Sequence, residues 1–394
     1  MIARFRSFDR SVQLLLLNQF SINVGFYMLM PYLAAHLSVT LALAGWAVGL
    51  VLGVRNFAQQ GMFLIGGTLA DRLGYKPLIV AGCALRTGGF ALLGFVDGVP
   101  ALVLASAATG FAGALFNPAV RAYVAADAGP RRVEAFALFN VFYQTGILVG
   151  PLLGLALTAV DFRLTCLVAA CVFLVLTVLQ WRSLPARAGT PSGDSVLADW
   201  RRVFSNRRFV LFALAMTGSY VLSFQVYLAL PLASGSAVLT AVLFAVSGVL
   251  AVVGQLRVTA FARARFGPDR SLVAGMAVLG LAFLPAIYGG WPGLVLCAAL
   301  LALGTMVVFP FEMDKIVALS GDHLVATHYG LYNTVVGVGI LLGNLLTGVG
   351  FDAAARAGVP WAPWLVLVAV GLGCAWALKK LAARVDSVAA GSTS

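Results

Sequence analysis

Charged residues are scarce in this chain: Asp, Glu, Lys and Arg together make up 10% of its 394 residues. An ordinary soluble domain has about 25%. Hydrophobic residues make up 61%, and the mean hydropathy is +0.98. This composition cannot supply a water-facing surface, so it excludes a soluble enzyme and an ordinary nucleic-acid-binding protein. It predicts an all-α protein embedded in a membrane.

Cysteine and histidine are also rare, with five and three residues. The cysteines all fall within apolar runs and their number is odd, so we predict no structural disulfide. The sequence has no Cys or His spacing typical of a zinc site, no phosphate-binding loop and no Ser-His-Asp set. We therefore predict no metal, no cofactor and no catalytic residue, and we do not expect an enzyme.

Twelve apolar stretches are long enough to cross a bilayer, which takes about 20 residues per helix. One connection is long and polar, and it contains a short amphipathic segment, 196–204, that we expect to lie on the membrane surface. These features predict a six-helix bundle at 1–181, a cytoplasmic linker at 182–208, and a six-helix bundle with a cytoplasmic tail at 209–394. The predicted spans are 12–36, 44–70, 77–96, 100–124, 135–159, 164–181, 209–231, 237–261, 271–289, 293–317, 328–350 and 361–380.

The net charge of +12 has a topological explanation. Lys and Arg collect in the cytoplasmic loops of membrane proteins, and here they collect in every second loop and in both tails. Of the loop residues, only Arg163 and Arg356 fall in the opposite set. We therefore place both termini in the cytoplasm, and the positive charge requires no nucleic-acid partner.

The two halves of the sequence repeat each other, at an offset of 200 residues around the first and seventh spans and of 193 residues from the second span onward. The matches include Leu138-Phe139-Asn140 with Leu331-Tyr332-Asn333, and Gly146 and Gly150 with Gly339 and Gly343. A repeat of six spans plus six spans, joined by a cytoplasmic linker, places a binding site between the halves, near the midplane of the membrane.

A tight turn with charges of both signs follows the second predicted span, in the sequence Gly67-Thr-Leu-Ala-Asp71-Arg72-Leu-Gly74-Tyr-Lys76. Asp71 stands at the C-terminal end of a helix, where the helix dipole disfavours a negative charge. We therefore expect its carboxylate to bind either a cationic partner or the N-terminus of a neighbouring helix.

The fifth predicted span contains Gly146, Gly150 and Gly154 at intervals of four residues, with Pro151 among them. Small residues at this spacing let another helix approach closely, and proline kinks a helix. The alternative to a functional motif is a plain packing face for a neighbouring helix.

Both motifs resemble signatures of the major facilitator superfamily. The turn resembles that family's loop between helices 2 and 3, and the glycine stripe resembles the motif of its drug:proton antiporters. Further segments resemble the twelve-span exporters of the MdtH multidrug-resistance type, namely Asn18-Gln19-Phe20, 55–61, 81–86, and Phe116-Asn117-Pro118 with Arg121. The resemblance implies two pseudo-symmetric six-helix bundles that export hydrophobic compounds in exchange for protons across a bacterial inner membrane.

The resemblance also implies roles for single residues. It assigns gating to Asp71, Arg72 and Lys76, and it implies that Asp71 ties the first-half helices together in the outward-open state. The sequence departs from the family pattern in the fourth span. There, Ser106 occupies the position at which the antiporter pattern has a proton-coupling arginine.

Proton coupling needs a titratable group within the transport path, and all 14 acidic residues can be surveyed. Twelve fall in loops, tails or helix ends, and only Glu312 and Asp314 fall within a span. A carboxylate inside the bilayer is expensive and marks a functional site by default. We predict that Glu312, and secondarily Asp314, carries the proton, with a structural ion pair as the alternative.

Polar and aromatic residues on five spans are predicted to bind substrate, because the first, fourth, seventh and tenth helices line the central cavity in the family's fold. The candidates are Asn23, Tyr27, Arg55, Gln59, Phe116, Asn117, Tyr220, Tyr227, Phe309 and Glu312. Such a surface suits hydrophobic or amphiphilic compounds, including cationic ones. Each aromatic residue could instead serve helix packing. Arg55 could handle an anion, pair with a charge or join two helices.

Arg121 and Asp314 are repeat equivalents of opposite charge, and we expect both near the cytoplasmic ends of their helices. Equivalent positions approach the pseudo-twofold axis together, so they can meet across it. We predict an ion pair of Arg121 with Asp314 or Glu312 that closes the cytoplasmic gate. The alternative is that Asp314 pairs with a neighbour such as Lys315 or faces solvent.

Together these features predict a monomeric, proton-coupled multidrug antiporter that works by alternating access. Its predicted partners are small hydrophobic substrates, protons and membrane lipid. The first alternative is a facilitator-type carrier of a sugar, a metabolite or a lysolipid. The second is a membrane-embedded enzyme or receptor, which would need a catalytic constellation or a sizeable extramembrane domain that this sequence does not contain.

Overall fold

The computed structural model describes residues 2–43, 45–190 and 193–391 of the chain. Helix makes up 88% of it, and no strand occurs within these ranges, which confirms the predicted all-α class. A helix satisfies its own backbone hydrogen bonds, so an apolar sequence with no access to water favours this class.

The helices in chain order are α1 (Ile2–Arg6), α2 (Arg10–Tyr27), α3 (Met30–Ala35), α4 (Gly45–Gln60), α5 (Phe63–Leu73), α6 (Tyr75–Phe95), α7 (Val99–Ala128), α8 (Arg132–Thr158), α9 (Phe162–Ser183), α10 (Val196–Ser205), α11 (Arg207–Ser223), α12 (Ala229–Ser234), α13 (Ala237–Leu281), α14 (Leu284–Ile287), α15 (Gly290–Ser320), α16 (Val325–Arg356) and α17 (Ala362–Gly391).

Eight helical stretches in the described ranges are long and apolar enough to cross a membrane. Two of them are long enough for two crossings of about 20 residues each: Val99–Thr158 has 60 residues and Leu239–Ile287 has 49. The first contains a 3-10 turn at Gly129–Arg131, and the second is interrupted at Gly267, whose φ of 73° is not helical. The chain is thus a multi-pass membrane protein, and the count of twelve spans stays a prediction.

Two predicted spans are each divided into two helices. The predicted span 44–70 consists of α4 and α5, which are separated at Gly61, because glycine is a poor helix former. The predicted span 12–36 contains α2 and α3, and Pro31 stands in the first turn of α3, where its missing N–H removes no helical hydrogen bond. Hydropathy stays high around Pro31, so the sequence pattern does not reveal that break, whereas the polar residues before Gly61 do mark the other one.

The chain forms two compact units. The first unit comprises Met1–Ala135, Phe142–Val203 and Ser320–Thr334, and the second comprises Phe136–Val141, Phe204–Leu319 and Val335–Ser394. Each unit therefore includes a short segment from the other half of the sequence. Residues 191 and 192 of the predicted linker, and 392–394 of the predicted tail, lie outside the described residues.

Aromatic residues fill the interior of each unit. In the first unit α6 packs against α7 and α9, and the rings of Phe90 and Phe173 meet edge to face with centroids 5.4 Å apart. In the second unit α13 and α11 pack against α17, and Trp364 lies 6.1 Å from Phe283 and 5.0 Å from Phe351. Such pairs add about 0.5–1.5 kcal/mol each beyond burial, and they fix the helices that carry the candidate functional residues.

Candidate functional site

The Asp71 carboxylate, just beyond the predicted span 44–70, is completely buried and binds the N-terminus of α16. Its Oδ2 accepts hydrogen bonds from Thr327 N and Thr327 Oγ1, both at 2.7 Å, and its Oδ1 accepts one from Ala326 N at 3.1 Å. Thr190 Oγ1 donates a further bond to Oδ1 at 3.2 Å. The first N–H groups of a helix lack partners within the helix and form the positive end of its dipole. Asp71 is therefore an anionic cap for α16.

Of the two partners expected for Asp71, a cation or a helix N-terminus, the structure has the second. The resemblance implies a tie among the first-half helices, and Tyr75 Oη makes one such contact at 3.4 Å. The shorter bonds lead to α16 instead, because an orphaned helix N-terminus offers several donors to one carboxylate. Burial raises the pKa of Asp71 to about 6, while the bonds from Thr327, Ala326 and Thr190 lower it. The carboxylate is thus mostly ionised at neutral pH.

The amphipathic helix α10 packs against the same turn. Arg72 donates to Asp199 Oδ2 from Nε at 3.1 Å and from Nη2 at 2.6 Å, and Asp199 is completely buried. Trp200 Nε1 donates to Thr68 Oγ1 at 2.8 Å. Sequence reasoning groups Asp199 with the loop acids and misses this pair. The signal lies in the amphipathic pattern, because Asp199 and Val203, one turn apart, are the buried residues of α10.

Replacing Arg72 with Gln is expected to destabilise the protein by about 2 kcal/mol, because the buried Asp199 then loses the Arg72 guanidinium. Arg72 itself is 29% exposed, so the effect stays below the roughly 3–5 kcal/mol of a fully buried pair. The unfolding temperature of the purified protein in detergent measures the loss. Lys76→Gln is the matched control, because Lys76 lies in the same turn and has no ion-pair partner among the described residues. Equal losses in both variants would count against a specific role of the Arg72–Asp199 pair.

The glycine stripe of α8 packs directly on the first helices of the chain. The pairs in contact are Gly146 with Asn23, Gly150 with Tyr27, and Gly154 with Met28. A Cβ added at Gly146 would lie 2.6 Å from Asn23 Cβ, and one added at Gly154 would overlap the Met28 carbonyl oxygen. Tyr32 Oη donates to Pro151 O at 2.6 Å. The stripe thus lets α8 lie against the face of α2 that carries Asn23.

Gly154→Ala is expected to reduce both the yield of folded protein and the transport rate several-fold. The added methyl meets backbone rather than a movable side chain, and overpacking of this kind costs about 1–3 kcal/mol. Size-exclusion chromatography and flux per folded molecule measure the two effects. Gly88→Ala is the control, because Gly88 on α6 has open space where its Cβ would stand. A Gly154→Ala protein as abundant and as active as Gly88→Ala would contradict the close packing.

Two arginines lie inside the first unit without an acidic partner. Arg55 on α4 donates to Asn56 Oδ1 at 2.7 Å and to Gln59 Oε1 at 2.6 Å. Arg86 on α6 is 2% exposed and donates to the Thr109 carbonyl from Nε at 3.3 Å and from Nη2 at 2.9 Å. Neither arginine forms an ion pair within the part of the chain that the structure describes.

Four aromatic rings lie around the Arg86 guanidinium, and one of them also lies against Arg55. The Cζ atom of Arg86 lies 4.8 Å from the ring centroid of Phe116 and 5.3 Å from that of Phe26, and Arg55 Cζ lies 4.4 Å from Phe26. Phe90 and Phe173 lie 5.9 Å and 5.4 Å from Arg86 Cζ. Phe116, a predicted substrate residue, is 1% exposed, and its ring packs on Arg86. The sequence marks Arg86 as a cation within an apolar span but does not give its partner, which is the carbonyl of Thr109, three residues from Ser106.

Glu312 lies on α15, eight residues before the helix ends, and it is 1% exposed. Of the acids whose side chains the structure describes in the eight apolar stretches, Glu312 alone is buried. Asp314 is half-buried. Lys315, the alternative partner named for Asp314, donates to Asp269 Oδ1 at 2.6 Å.

Arg121 on α7 donates from Nη1 to Asn333 Oδ1 at 2.7 Å, within the first unit. In the second unit Asn140, the repeat equivalent of Asn333, donates to Gln255 Oε1 at 2.6 Å. The two asparagines thus both bind a polar side chain at equivalent places of the repeat. The ion pair of Arg121 with Asp314 or Glu312 stays a prediction from the repeat.

The remaining predicted substrate residues differ in their surroundings. The amide of Asn23 donates to Gln19 O at 2.9 Å, and that of Asn117 donates to Gly113 O at 2.7 Å, so each bonds to its own helix. In the second unit Tyr220 is half-buried on α11, Tyr227 is 48% exposed beside Phe224 and Phe244, and the Phe309 ring stacks on Phe139 at 6.4 Å.

The fold and the two motifs can be compared with known proteins. Residues 15–344 match the family model of the Major Facilitator Superfamily. The chain belongs to the major facilitator superfamily. Members of this family are carriers, so the chain is a membrane transporter of small molecules rather than an enzyme.

Relatives within this superfamily cover nearly the whole chain. It is 54% identical over 408 residues to an uncharacterized MFS-type transporter of Mycobacterium tuberculosis, a match that spans 99% of this chain and 96% of the relative. It is 30% identical over 367 residues to the multidrug resistance protein MdtH of Salmonella typhi, a match that spans 91% of this chain and 90% of the relative. The crystal structure of the human organic anion transporter MFSD10 has a similar fold, with a TM-score of 0.71 and 15% identity over 94% of this chain and 99% of that one.

Proposed function

We propose that this transporter is a proton-coupled multidrug antiporter, which exports hydrophobic or amphiphilic compounds by alternating access. Protons and small hydrophobic molecules are its partners. It works as a monomer in the inner membrane of a bacterium, with both termini in the cytoplasm. Its two six-helix bundles, 1–181 and 209–394, are joined by the cytoplasmic linker 182–208.

The observation that carries the proposal is the burial of Glu312 in an apolar helix. An acid in such a place is costly and persists where function needs it, and proton exchange is the function for which a carboxylate is suited. In this proposal Glu312 carries the proton, and Asp314, two residues further along α15, assists it.

The glycine motif of α8 favours export rather than import. Gly146, Gly150, Pro151 and Gly154 form the motif that resembles the drug:proton antiporters, and this stripe contacts the helix that carries Asn23 and Tyr27. A contact this close couples any movement of α8 to the predicted substrate face of α2. The 30% identity to MdtH, which is named a multidrug resistance protein, agrees with this function.

Gating is proposed for the turn after α5 and for Arg121. The cap that Asp71 forms on α16 holds one conformation, and the Arg72–Asp199 pair fixes α10 beside it. Lys76 contributes positive charge to the same turn. Arg121 closes the cytoplasmic side by pairing with Asp314 or Glu312, and a charge-swapped Arg121/Asp314 double variant should therefore transport better than either single variant.

A growth-inhibition panel in an exporter-deficient bacterium tests the proposed function. Cells that produce the wild-type protein should tolerate several unrelated hydrophobic compounds at higher concentrations than cells that produce Glu312→Gln in equal amount. A carrier of a sugar, a metabolite or a lysolipid is the second candidate, since the family fold accommodates these cargoes. Equal susceptibility to every compound, with growth on a single nutrient restored, would favour that candidate.

A further inference from the structure

The first unit contains two positive charges that no carboxylate neutralises within its described residues. The acids of this unit lie only at helix ends and in connections. Helix α6 has no acid, and α7 has none before Asp127. Asp71, the acid that follows Arg55 in the sequence, lies about four helical turns beyond it. Neither Arg55 nor Arg86 forms an ion pair among the described residues. A charge inside a membrane protein is costly unless it is paired. The interior of this unit therefore has an excess of positive charge.

The two arginines are held in different ways. Arg86 is bound to the backbone carbonyl of Thr109, and four aromatic rings enclose it, so its guanidinium is fixed. Arg55 is bound to the side-chain oxygens of Asn56 and Gln59, and its Nε is buried with no hydrogen-bond partner. Amide side chains can rotate away, and an ionised acceptor forms a hydrogen bond roughly twice as strong as a neutral one. An anion can therefore replace the amide oxygens at Arg55.

Gly113 on α7 brings the two arginines to one place. A Cβ at this position would lie 2.7 Å from Arg86 Nη2 and 3.0 Å from Gln59 Oε1, the oxygen that Arg55 binds. Both guanidinium groups also lie against the same ring, that of Phe26, at 4.4 Å and 5.3 Å. An anion beside Arg55 is therefore attracted by both charges, because Coulomb attraction falls only with the inverse of distance.

We propose that Arg55 and Arg86 form a binding site for the anionic group of an amphiphilic substrate: a carboxylate, sulfonate or phosphate on an apolar body. Arg55 binds the oxyanion directly, Arg86 supplies the second positive charge, and the ring of Phe26, which is half-buried, contacts the apolar body. This inference rests on the proposed function, because it names the substrate class of the same transporter. It also makes amphiphilic cations poor ligands of this site, since both charges repel them.

Binding of two ligands with the same tail and opposite charge tests the site. The full-length protein in nanodiscs of zwitterionic lipid is titrated with decanesulfonate and with decyltrimethylammonium by isothermal calorimetry. We expect the wild type to bind the anion at least tenfold more tightly than the cation. Arg55→Gln should weaken anion binding at least tenfold, whereas Arg55→Lys should retain most of it. A wild type that binds both ligands equally, or prefers the cation, would overturn the proposal.

Gln59→Glu gives a test that does not depend on removing a buried charge. It retains both arginines and places a carboxylate beside Arg55, so the fold gains an ion pair while the site loses its free positive charge. We expect Gln59→Glu to weaken decanesulfonate binding as much as Arg55→Gln does. Arg163→Gln is the control, because Arg163 is an exposed arginine of the same unit. A folded Gln59→Glu protein with wild-type affinity for the anion would overturn the proposal.

Anion binding and drug transport, both measured on the wild-type protein, separate this inference from the proposed function. A wild type that exports drugs against a gradient but binds no decanesulfonate would overturn the anion site and leave the antiporter in place. A wild type that binds the anion and transports nothing would overturn the antiporter alone.

A titration in nanodiscs that contain phosphatidylglycerol distinguishes a lipid headgroup from a soluble anion as the occupant of the site. If the site binds the lipid headgroup, decanesulfonate should bind more weakly in these nanodiscs than in zwitterionic ones. If the site binds only a soluble anion, the affinity for decanesulfonate should be the same in both.

Discussion

Glu312→Gln is expected to abolish transport against a gradient while substrate still moves down its own gradient. Glu312 is buried eight residues from the end of α15, about 12 Å along the helix. Glutamine keeps the size and the hydrogen-bonding capacity of the side chain, so the surroundings can stay as they are. It cannot release a proton, so the step that couples proton flow to substrate flow is lost.

Proteoliposomes with and without a pH gradient measure the two kinds of transport separately. The wild type should accumulate a fluorescent substrate only when the gradient is present, and Glu312→Gln should only let it equilibrate. Asp314→Asn is the comparison, because Asp314 is half-buried on the same helix and should have the smaller effect. Normal accumulation by Glu312→Gln would refute its assignment as the proton carrier.

Asp71→Asn is expected to leave the protein folded and to slow its turnover about tenfold. The change removes the negative charge that caps α16, and caps and helix-dipole interactions of this kind contribute about 1–2 kcal/mol. A difference of about 1.4 kcal/mol corresponds to a factor of ten. Turnover per folded molecule in proteoliposomes measures the effect. Thr190→Val is the milder comparison, because it keeps the Asp71 charge and removes only the two bonds of Thr190 Oγ1, at 3.2 Å to Oδ1 and at 3.3 Å from Val325 N.

The pH dependence of the same pair of proteins gives a second test. Burial raises the pKa of Asp71 to about 6, and the ionised form is the one that binds the N-terminus of α16. The cap is therefore present above that pH and lost below it. The difference in turnover between the wild type and Asp71→Asn should shrink as the pH falls through about 6. Unchanged turnover of Asp71→Asn at neutral pH, with equal amounts of folded protein, would count against the cap as a gate.

The sequence allows part of this arrangement to be predicted from local rules. The helix dipole at Asp71 restricts the partner of its carboxylate to a cation or a helix N-terminus, and in the structure the partner is the N-terminus of α16. The four-residue spacing of Gly146, Gly150 and Gly154 predicts a close helix contact, and α2 provides it. Both predictions succeed because they depend on the chemistry of one turn of helix.

Contacts between residues that are distant in the sequence could not be predicted in this way. Thr190 and Asp199 reach the turn at Asp71 from more than 100 residues away, and no local pattern says which helix they meet. The sequence of α6 does not show which neighbouring helix Arg86 faces. Only the packing of α6 on α7 shows that it binds the Thr109 carbonyl and the ring of Phe116. The helix break before Pro31 is likewise hidden by continuous hydropathy.

Substrate-driven proton movement tests antiport most directly. Proteoliposomes that contain the protein and a trapped pH-sensitive dye start at equal pH on both sides. A compound that the wild type exports in cells is then added outside. Exchange predicts that protons leave as the compound enters, so the pH of the lumen should rise with the wild type and stay constant with Glu312→Gln. A lumen pH that stays constant or falls with the wild type, while the compound enters at the same rate, would contradict proton antiport.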